Sequence, residues 1–368
     1  MTTRPSRSTS AHASADAVTI RDVAALAGVS YSTVSRVVND YPGVREETRR
    51  LVKEALGQLS YVPNLTARQL RLGSDAGIVG VIIEDVSNPF YSGIIRGAED
   101  VLDKRGFLVI GASSEEDDER MLGLLRGLTR RRVDGLIVVP TGSGRPYDRL
   151  LAEPVAPTVF LDRPGWDSNA DSLISDNFGA ALGVVGHLIA LGHSSIAMVG
   201  DSPAIWTFAE RARGYRAAMA NAGVPVDESL VALGLRDARS AHEATNRMLR
   251  RRNKPSAIFA LNNRATAGVL QATIWRNEWP DVGAIDEFEL GTLLPCVRAI
   301  ALSEPRRLGR IAARLLLRRI AGKGDKPRHL VAPAVVRTKP AASSGRLQRR
   351  WYEVTLADQG SRKPLVRT

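Results

Sequence analysis

The rhythm of apolar and polar positions divides the chain into a short helical opening, a long alternating middle and a polar end. In the opening, Ile20, Val23, Ala24 and Ala27 recur at helical spacing and give one apolar face. Thr19 precedes them with Asp22 three residues on, the pattern of a capping box. Gly28 stands where a helix end takes positive φ, and Ser30 can cap a second helix that buries Val34, Val37 and Val38. Tyr41-Pro42-Gly43 marks a turn. Leu51, Val52, Ala55, Leu56 and Leu59 then predict a third helix over 45–60, which Tyr61-Val62-Pro63 ends. A short helical stretch over 64–71, capped by Asn64, leads to the linker Gly73-Ser74.

From residue 77 short β-branched runs alternate with amphipathic stretches. Strands are predicted at 78–83, 108–111, 135–139, 158–161, 195–199 and 257–260. Helices are predicted at 92–105, 116–131, 177–191, 209–222, 240–252 and 264–276. This alternation implies parallel sheets with helices on both faces, and its length implies two doubly wound α/β lobes rather than one. Ligands of such folds bind beyond the carboxyl ends of the strands. The residues there include Asp85, Ser87, Asn88, Phe90 and Tyr91 after the first strand, then Ser113, Ser114 and Glu115 after the second. Thr141 and Ser143, Asp162 and Arg163, and Asp176 and Asn177 follow. Asp201 and Trp206, then Asn262, Asn263 and Arg264, complete the set. Asp, Asn and Arg beside an aromatic suit a polyhydroxylated ligand, whereas ordinary βα loops and helix caps are polar as well. The spacing alone leaves both readings open.

The 368 residues carry a net charge of +12, which favours a polyanionic partner. Its density peaks at the two ends, with ten Lys/Arg against six Asp/Glu in residues 1–73 and six against two in 341–368. The single Cys296 excludes a disulfide framework and reads as a small core residue. No apolar run approaches a membrane span, and the first 16 residues lack the apolar centre of a secretory signal, so a cytoplasmic, nucleoid-associated protein is expected.

The second helix shows Tyr31, Ser32, Thr33, Ser35, Arg36 and Asn39 on its outer face, hydrogen-bonding groups with one formal charge. Such a surface suits base edges and phosphates in a major groove, and the pair of helices reads as a DNA-binding helix-turn-helix. Catalysis finds little support. No GxGxxG follows a strand, there is neither a GxxxxGK[ST] loop nor a GxSxG elbow, and His12, His187, His193, His242 and His329 form no metal-ligand spacing. Glu115-Glu116-Asp117-Asp118 reads as a solvated helix start rather than a metal cluster. No cofactor is expected. A secreted solute-binding protein would have no use for residues 18–71, and an architectural DNA-binding protein none for the ligand-cleft scaffold.

On these motifs the chain resembles the LacI/GalR family of bacterial transcriptional regulators over residues 18–340. The resemblance is carried by VTIRDVAALAGVSYSTVSRVVN, YVPNLTARQL, DVSNPFYSGIIRGAED, RRVDGLIVVP, LDRP, ISDNFGA and HLIALGHSSIAMVG. It implies an arm over 1–16, a helix-turn-helix domain over 17–62, and a hinge helix with linker over 63–74. It also implies an effector-binding body over 75–340. From composition the arm is expected to be disordered, and the basic tail over 341–368, which lacks heptad leucines, to be disordered or to add non-specific phosphate affinity. Within the body, lobes of 75–174 with 302–323 and of 175–301 with 324–340 are expected to resemble periplasmic sugar-binding proteins. The resemblance further implies a repressor that, as a homodimer, reads a pseudo-palindromic operator in double-stranded DNA under the control of a small-molecule effector. Tyr31, Ser32 and Arg36 would then read bases, and Thr19, Ser30, Thr33, Ser35, Asn39, Tyr61 and Asn64 would serve the DNA contact around them. Leu70 would wedge into the minor groove. The effector contacts implied are Asn88, Phe90, Tyr91, Ser113, Thr141, Asp162, Arg163, Asp176, Asn177, Trp206, Asn263 and Asp286.

Three departures from the family pattern stand out. The ligand arginine, counted five residues before Gly214, falls on Ala209, with Arg211 and Arg213 nearby on other helical faces. Asn262-Asn263 replaces Asn-Asp. WPDVGAIDEFELG is about two residues short, leaving the register of Asp286 and Glu287 open. Either the effector is unusual, or repression needs no small molecule.

Overall fold

A computed structural model describes residues 18–38, 41–61, 77–143, 156–274, 279–286, 288, 291, 293–323, 326–339 and 352–355. The chain divides into two units, residues 1–74 and 75–368.

The first unit contains α1 (Ile20–Ala27), α2 (Tyr31–Val38) and α3 (Glu46–Gln58). The Asp22 carboxylate accepts both the backbone N–H and the hydroxyl of Thr19, each at 2.7 Å, which closes the start of α1 and holds the Asp22 carboxyl below its usual range. Gly28 ends α1 at φ 64°, a left-handed conformation that glycine adopts without a Cβ penalty. Ser30 Oγ accepts the Thr33 N–H at 3.1 Å and caps α2. Val23, Ala24, Val34, Val37, Val52 and Ala55 form the core of this unit.

The second unit is built on two sheets. The first contains β1 (Ile78–Ile83), β2 (Leu108–Ser113), β3 (Gly135–Val138), β4 (Thr158–Leu161), β5 (Asp171–Ser175) and β11 (His329–Ala332), in the order β11-β5-β4-β3-β1-β2, all parallel. Helices α4 (Pro89–Leu102), α5 (Asp118–Arg130) and α10 (Pro305–Ile320) cover it. Because both faces are covered, β1 reads as an almost unbroken apolar run. Helices α4 and α10 approach closely enough that a Cβ on Gly309 would lie 2.0 Å from the Ile94 carbonyl oxygen.

The second sheet contains β6 (Ile196–Val199), β7 (Val231–Ala232), β8 (Ala257–Ala260), β9 (Asp281–Ile285), β10 (Val297–Leu302), β12 (Val335–Thr338) and β13 (Tyr352–Thr355). Its order is β13-β12-β10-β9-β8-β6-β7, parallel from β10 to β7, with β12 and β13 antiparallel at the far edge. Helices α6 (Asn177–Ala190), α7 (Trp206–Asn221), α8 (Ala238–Leu249) and α9 (Asn263–Ile274) flank it. Cys296 is a buried residue of this core. The expected two-lobe α/β body is therefore present.

The chain passes between lobes after β5, after β10 and between β11 and β12. Two expectations change. Residues 324–340 do not all join the second lobe, because His329–Ala332 pair in register with Ser172–Ser175 of the first sheet. Residues 352–355, expected in a disordered tail, pair their backbone with Val335–Thr338, the edge strand offering unpaired N–H and C=O groups.

Candidate functional site

In the first unit, α2 presents Ser32 and Arg36 to solvent, while Tyr31, Thr33 and Ser35 are half-buried. Ser30 Oγ lies 2.8 Å from both Ser32 Oγ and Thr33 Oγ1, so three hydroxyls share hydrogen bonds at the start of the helix. Thr19 is committed to Asp22 through both of its donors, so a phosphate there would have to compete with a carboxylate. Tyr61 is half-buried against the core of the three helices. Asn39, Asn64, Leu70 and the hinge helix over 63–74 lie outside the described residues.

In the second unit, the carboxyl ends of both sheets converge on one cluster. Asn88 caps α4 by accepting the Phe90 N–H at 3.1 Å, with Pro89 at the first helical position. Phe90 and Tyr91 meet edge to face, with centroids 5.0 Å apart. The Tyr91 hydroxyl lies 3.1 Å from Glu84 Oε2 and 3.3 Å from Asp162 Oδ2. Arg163, 2 % exposed, donates to Glu116, to the Pro140 carbonyl at 2.8 Å and to Glu84 at 3.2 Å. Burial opposes the Arg163 charge, but Tyr91, Glu116, Asp162 and Glu84 around it outweigh burial and hold its pKa above the usual value.

On the side of the second sheet, Arg211 is buried. It donates to Asn177 Oδ1 at 2.7 Å and to the Leu261 carbonyl at 2.6 Å, and its Nη1 lies 3.6 Å from Asp286 Oδ2. The Ser303 hydroxyl fixes the other Asp286 oxygen. Asp162 and Asp286 follow β4 and β9 in left-handed conformations, φ 68° and 70°. Such conformations in residues other than glycine cluster at binding sites, where surrounding structure enforces them. Asn263 reaches across to the first lobe, its Nδ2 donating to Asn88 Oδ1 at 2.8 Å.

Not every implied contact residue belongs to this cluster. Ser113 Oγ accepts the Val86 N–H at 3.0 Å and so shapes the loop before α4. Thr141 donates to Asp118 at 2.8 Å. Asp176 caps α6 through the Gly179 N–H at 2.8 Å, and it lines a separate cavity of about 30 Å³ walled by Ser175, Ser303, Glu304 and Pro333 at the crossovers. Trp206 starts α7 half-buried. Glu287 lies outside the described residues, whereas Asp286 takes the position beside Arg211.

Near the position that sequence counting placed at Ala209, the buried arginine is Arg211. Residues Thr207, Phe208, Arg211, Ala212, Gly214, Tyr215 and Ala218 are buried along one side of α7, and that spacing was the available signal. Glu84 and Glu116 had no such signal. Glu116 was expected on a solvated helix start; instead Glu115 and Glu116 are successive left-handed residues, and the Glu116 carboxylate accepts from Arg163 and from the Gly142 N–H at 3.0 Å. His193, in the turn before β6, lies 3.0 Å from Ser256 Oγ and 3.0 Å from Asp281, and ties together the starts of three strands.

Burial raises the Glu84 carboxyl above its usual 4.5, against the pull of Arg163. A raised folded-state pKa contributes stability that is complete below 4.5 and lost as pH climbs through the folded value. Glu84→Gln is expected to flatten that limb of a plot of denaturation midpoint against pH; an unchanged limb would refute the assignment.

The described residues contain no group of three or more His, Cys, Asp or Glu placed to hold a metal and no helix long and apolar enough to cross a membrane. The three-helix unit and the two-lobe body are the architecture that the comparisons with known proteins identify as that of DNA-binding transcriptional regulators. Residues 76–338 match the family of periplasmic binding proteins and sugar binding domain of LacI family, and residues 19–64 match bacterial regulatory proteins, lacI family. The chain belongs to the LacI family of transcriptional regulators and repressors.

Among its relatives is the ribose operon repressor of Escherichia coli strain K12, 34 % identical over 311 residues, which span 82 % of this chain and 93 % of that one. Catabolite control protein A of Priestia megaterium is 32 % identical over 305 residues, 81 % and 91 % of the two chains. The lac repressor dimer bound to operator and the anti-inducer ONPF superposes with a TM-score of 0.73 at 25 % identity, covering 85 % of this chain and 96 % of that one. The regulator CelR in complex with cellobiose gives 0.61 at 30 % identity, with coverage of 85 % and 96 %.

Proposed function

We propose that the chain acts as a homodimeric repressor that reads a pseudo-palindromic operator with α2, its grip being set by a small polyhydroxylated effector held between the lobes. The observation that carries the effector is that Arg163 Nε and Asn263 Oδ1 are two of the buried polar atoms that, among the described residues, have no hydrogen-bond partner. One is a donor and the other an acceptor, both beside the Asn88–Asp162 cluster, and an unpaired buried polar group costs ~1–3 kcal/mol. A hydroxyl-rich ligand supplies both kinds of partner. The relatives put ribose and cellobiose first among sugars to try. Two-fold symmetry of the operator follows from a C₂ dimer. The lac repressor, a structural relative, is a dimer on its operator. Leu70 is assigned the minor-groove wedge, and action on chromosomal DNA places the protein in the cytoplasm at the nucleoid.

Operator selection from random DNA, with and without a sugar panel, tests the reading. A palindromic consensus whose occupancy one sugar shifts supports it; a consensus that no sugar shifts removes the effector and leaves the DNA reading. Arg36→Ala is expected to weaken specific binding by ~1–3 kcal/mol and to relax preference at one base pair. Equal weakening on every sequence would make Arg36 a phosphate contact instead.

A further inference from the structure

Two consecutive residues of the second lobe bond to one corner of the first. Asn263, opening α9, donates through Nδ2 to the Oδ1 of Asn88, and both side chains are buried. Arg264, next along the helix, pairs through Nη2 with Asp85 Oδ2 and through Nη1 with Glu84 Oε1 at 3.3 Å. The Asp85 carboxylate is already held in place by the N–H and hydroxyl of Ser87, each at 2.8 Å, and Ser87 keeps its pKa below the usual value although desolvation works the other way. Elsewhere along the cleft the lobes also touch, since a Cβ on Gly142 would meet Ile205 Cγ1 at 3.1 Å.

We infer that Asn263 and Arg264 clasp the Glu84–Asn88 corner and hold the two lobes together through the chain's own side chains. The amide at 263 is essential to this arrangement: an aspartate there has no N–H to offer the Asn88 oxygen, which already accepts from Phe90. The Arg264 pair alone is modest, because its guanidinium and the Asp85 carboxylate remain 29 % and 30 % exposed. It acts together with the buried amide bond because adjacent residues of one helix start carry both. An effector then adds to a closure that the chain already favours, and shifts the lobe equilibrium only by its differential affinity for the two states. The clasp depends on the two-lobe body and not on the effector's identity, so its test is independent of the DNA and sugar assays.

Hydrogen exchange of the full-length protein without ligand, read by mass spectrometry, provides that test. Arg264→Gln is expected to speed exchange in peptides spanning 84–91, and Asp85→Asn in those spanning 261–266, each roughly two- to fivefold. Strands β3 and β6 should keep their protection, and Arg264→Lys should restore most of what Arg264→Gln loses. The double variant should fall short of the sum of the two single ones and should not exceed Arg264→Gln, because the Asp85 contact is common to both while Arg264→Gln also removes the Glu84 contact. Raising the salt concentration should loosen wild type and leave the double variant unchanged. Effects confined to the mutated lobe, strictly additive effects, or no change in either peptide would each overturn the clasp.

Discussion

Arg163→Met is expected to lower the stability of the second unit by about 3–5 kcal/mol, because removing one partner of a buried ion network strands the others without compensation. Arg163 is 2 % exposed and answers Glu84, Glu116 and Asp162, whose carboxylates have, among the described residues of the first lobe, no other guanidinium equally buried beside them. A domain of this kind is stable by ~5–15 kcal/mol, so the loss is a large share of the total. Urea unfolding monitored by the far-ultraviolet signal gives the number. Restoring charge balance should rescue it: Glu84→Gln with Glu116→Gln in the Arg163→Met background is expected to recover much of the loss, since a buried ionic group replaced as a whole is often near neutral. If the triple variant were less stable than Arg163→Met alone, the network would be held by hydrogen-bond geometry rather than by charge.

What the sequence made legible follows from how local each signal is. The helix-turn-helix was readable because Thr19, Asp22, Gly28 and Ser30 act within a few residues of themselves, and the structure places each where its chemistry directs. The two-lobe body was readable because strand-helix alternation repeats many times over. The division of 324–340 was not, since β11 and β12 are four residues each, two residues apart, and nothing in either pattern says which sheet will take it. Strand β13 escaped for a related reason: an edge strand needs only backbone groups, and its surroundings are polar and basic. At the cleft, residues just after strands were found by topology, but Glu116 was hidden because an acidic run before a helix ordinarily faces water.

Arg211 is the sharpest case of a residue misjudged by counting, and it yields the second large effect. Counting from Gly214 favoured Ala209, whereas burial singles out Arg211, which bonds to Asn177 and the Leu261 carbonyl and faces Asp286. Arg211→Met is expected to cost about 3–5 kcal/mol of stability, because Asp286 would remain buried with, among the described residues, Ser303 as its one remaining side-chain partner, and Asn177 Oδ1 would lose its donor. Ala209→Arg, at the half-buried position favoured by counting, is expected to cost no more than about 1 kcal/mol. The same pair of variants separates a structural role from a ligand-binding one. Arg211→Lys keeps the charge but loses the planar fork, so it should retain much of the stability while weakening any sugar found in the operator assay by more than tenfold, the equivalent of a ~1.5–3 kcal/mol charged hydrogen bond. A lysine variant that binds the sugar as tightly as wild type would confine Arg211 to holding Asp286 and the crossover together, and would move the burden of ligand recognition to Arg163 and Asn263.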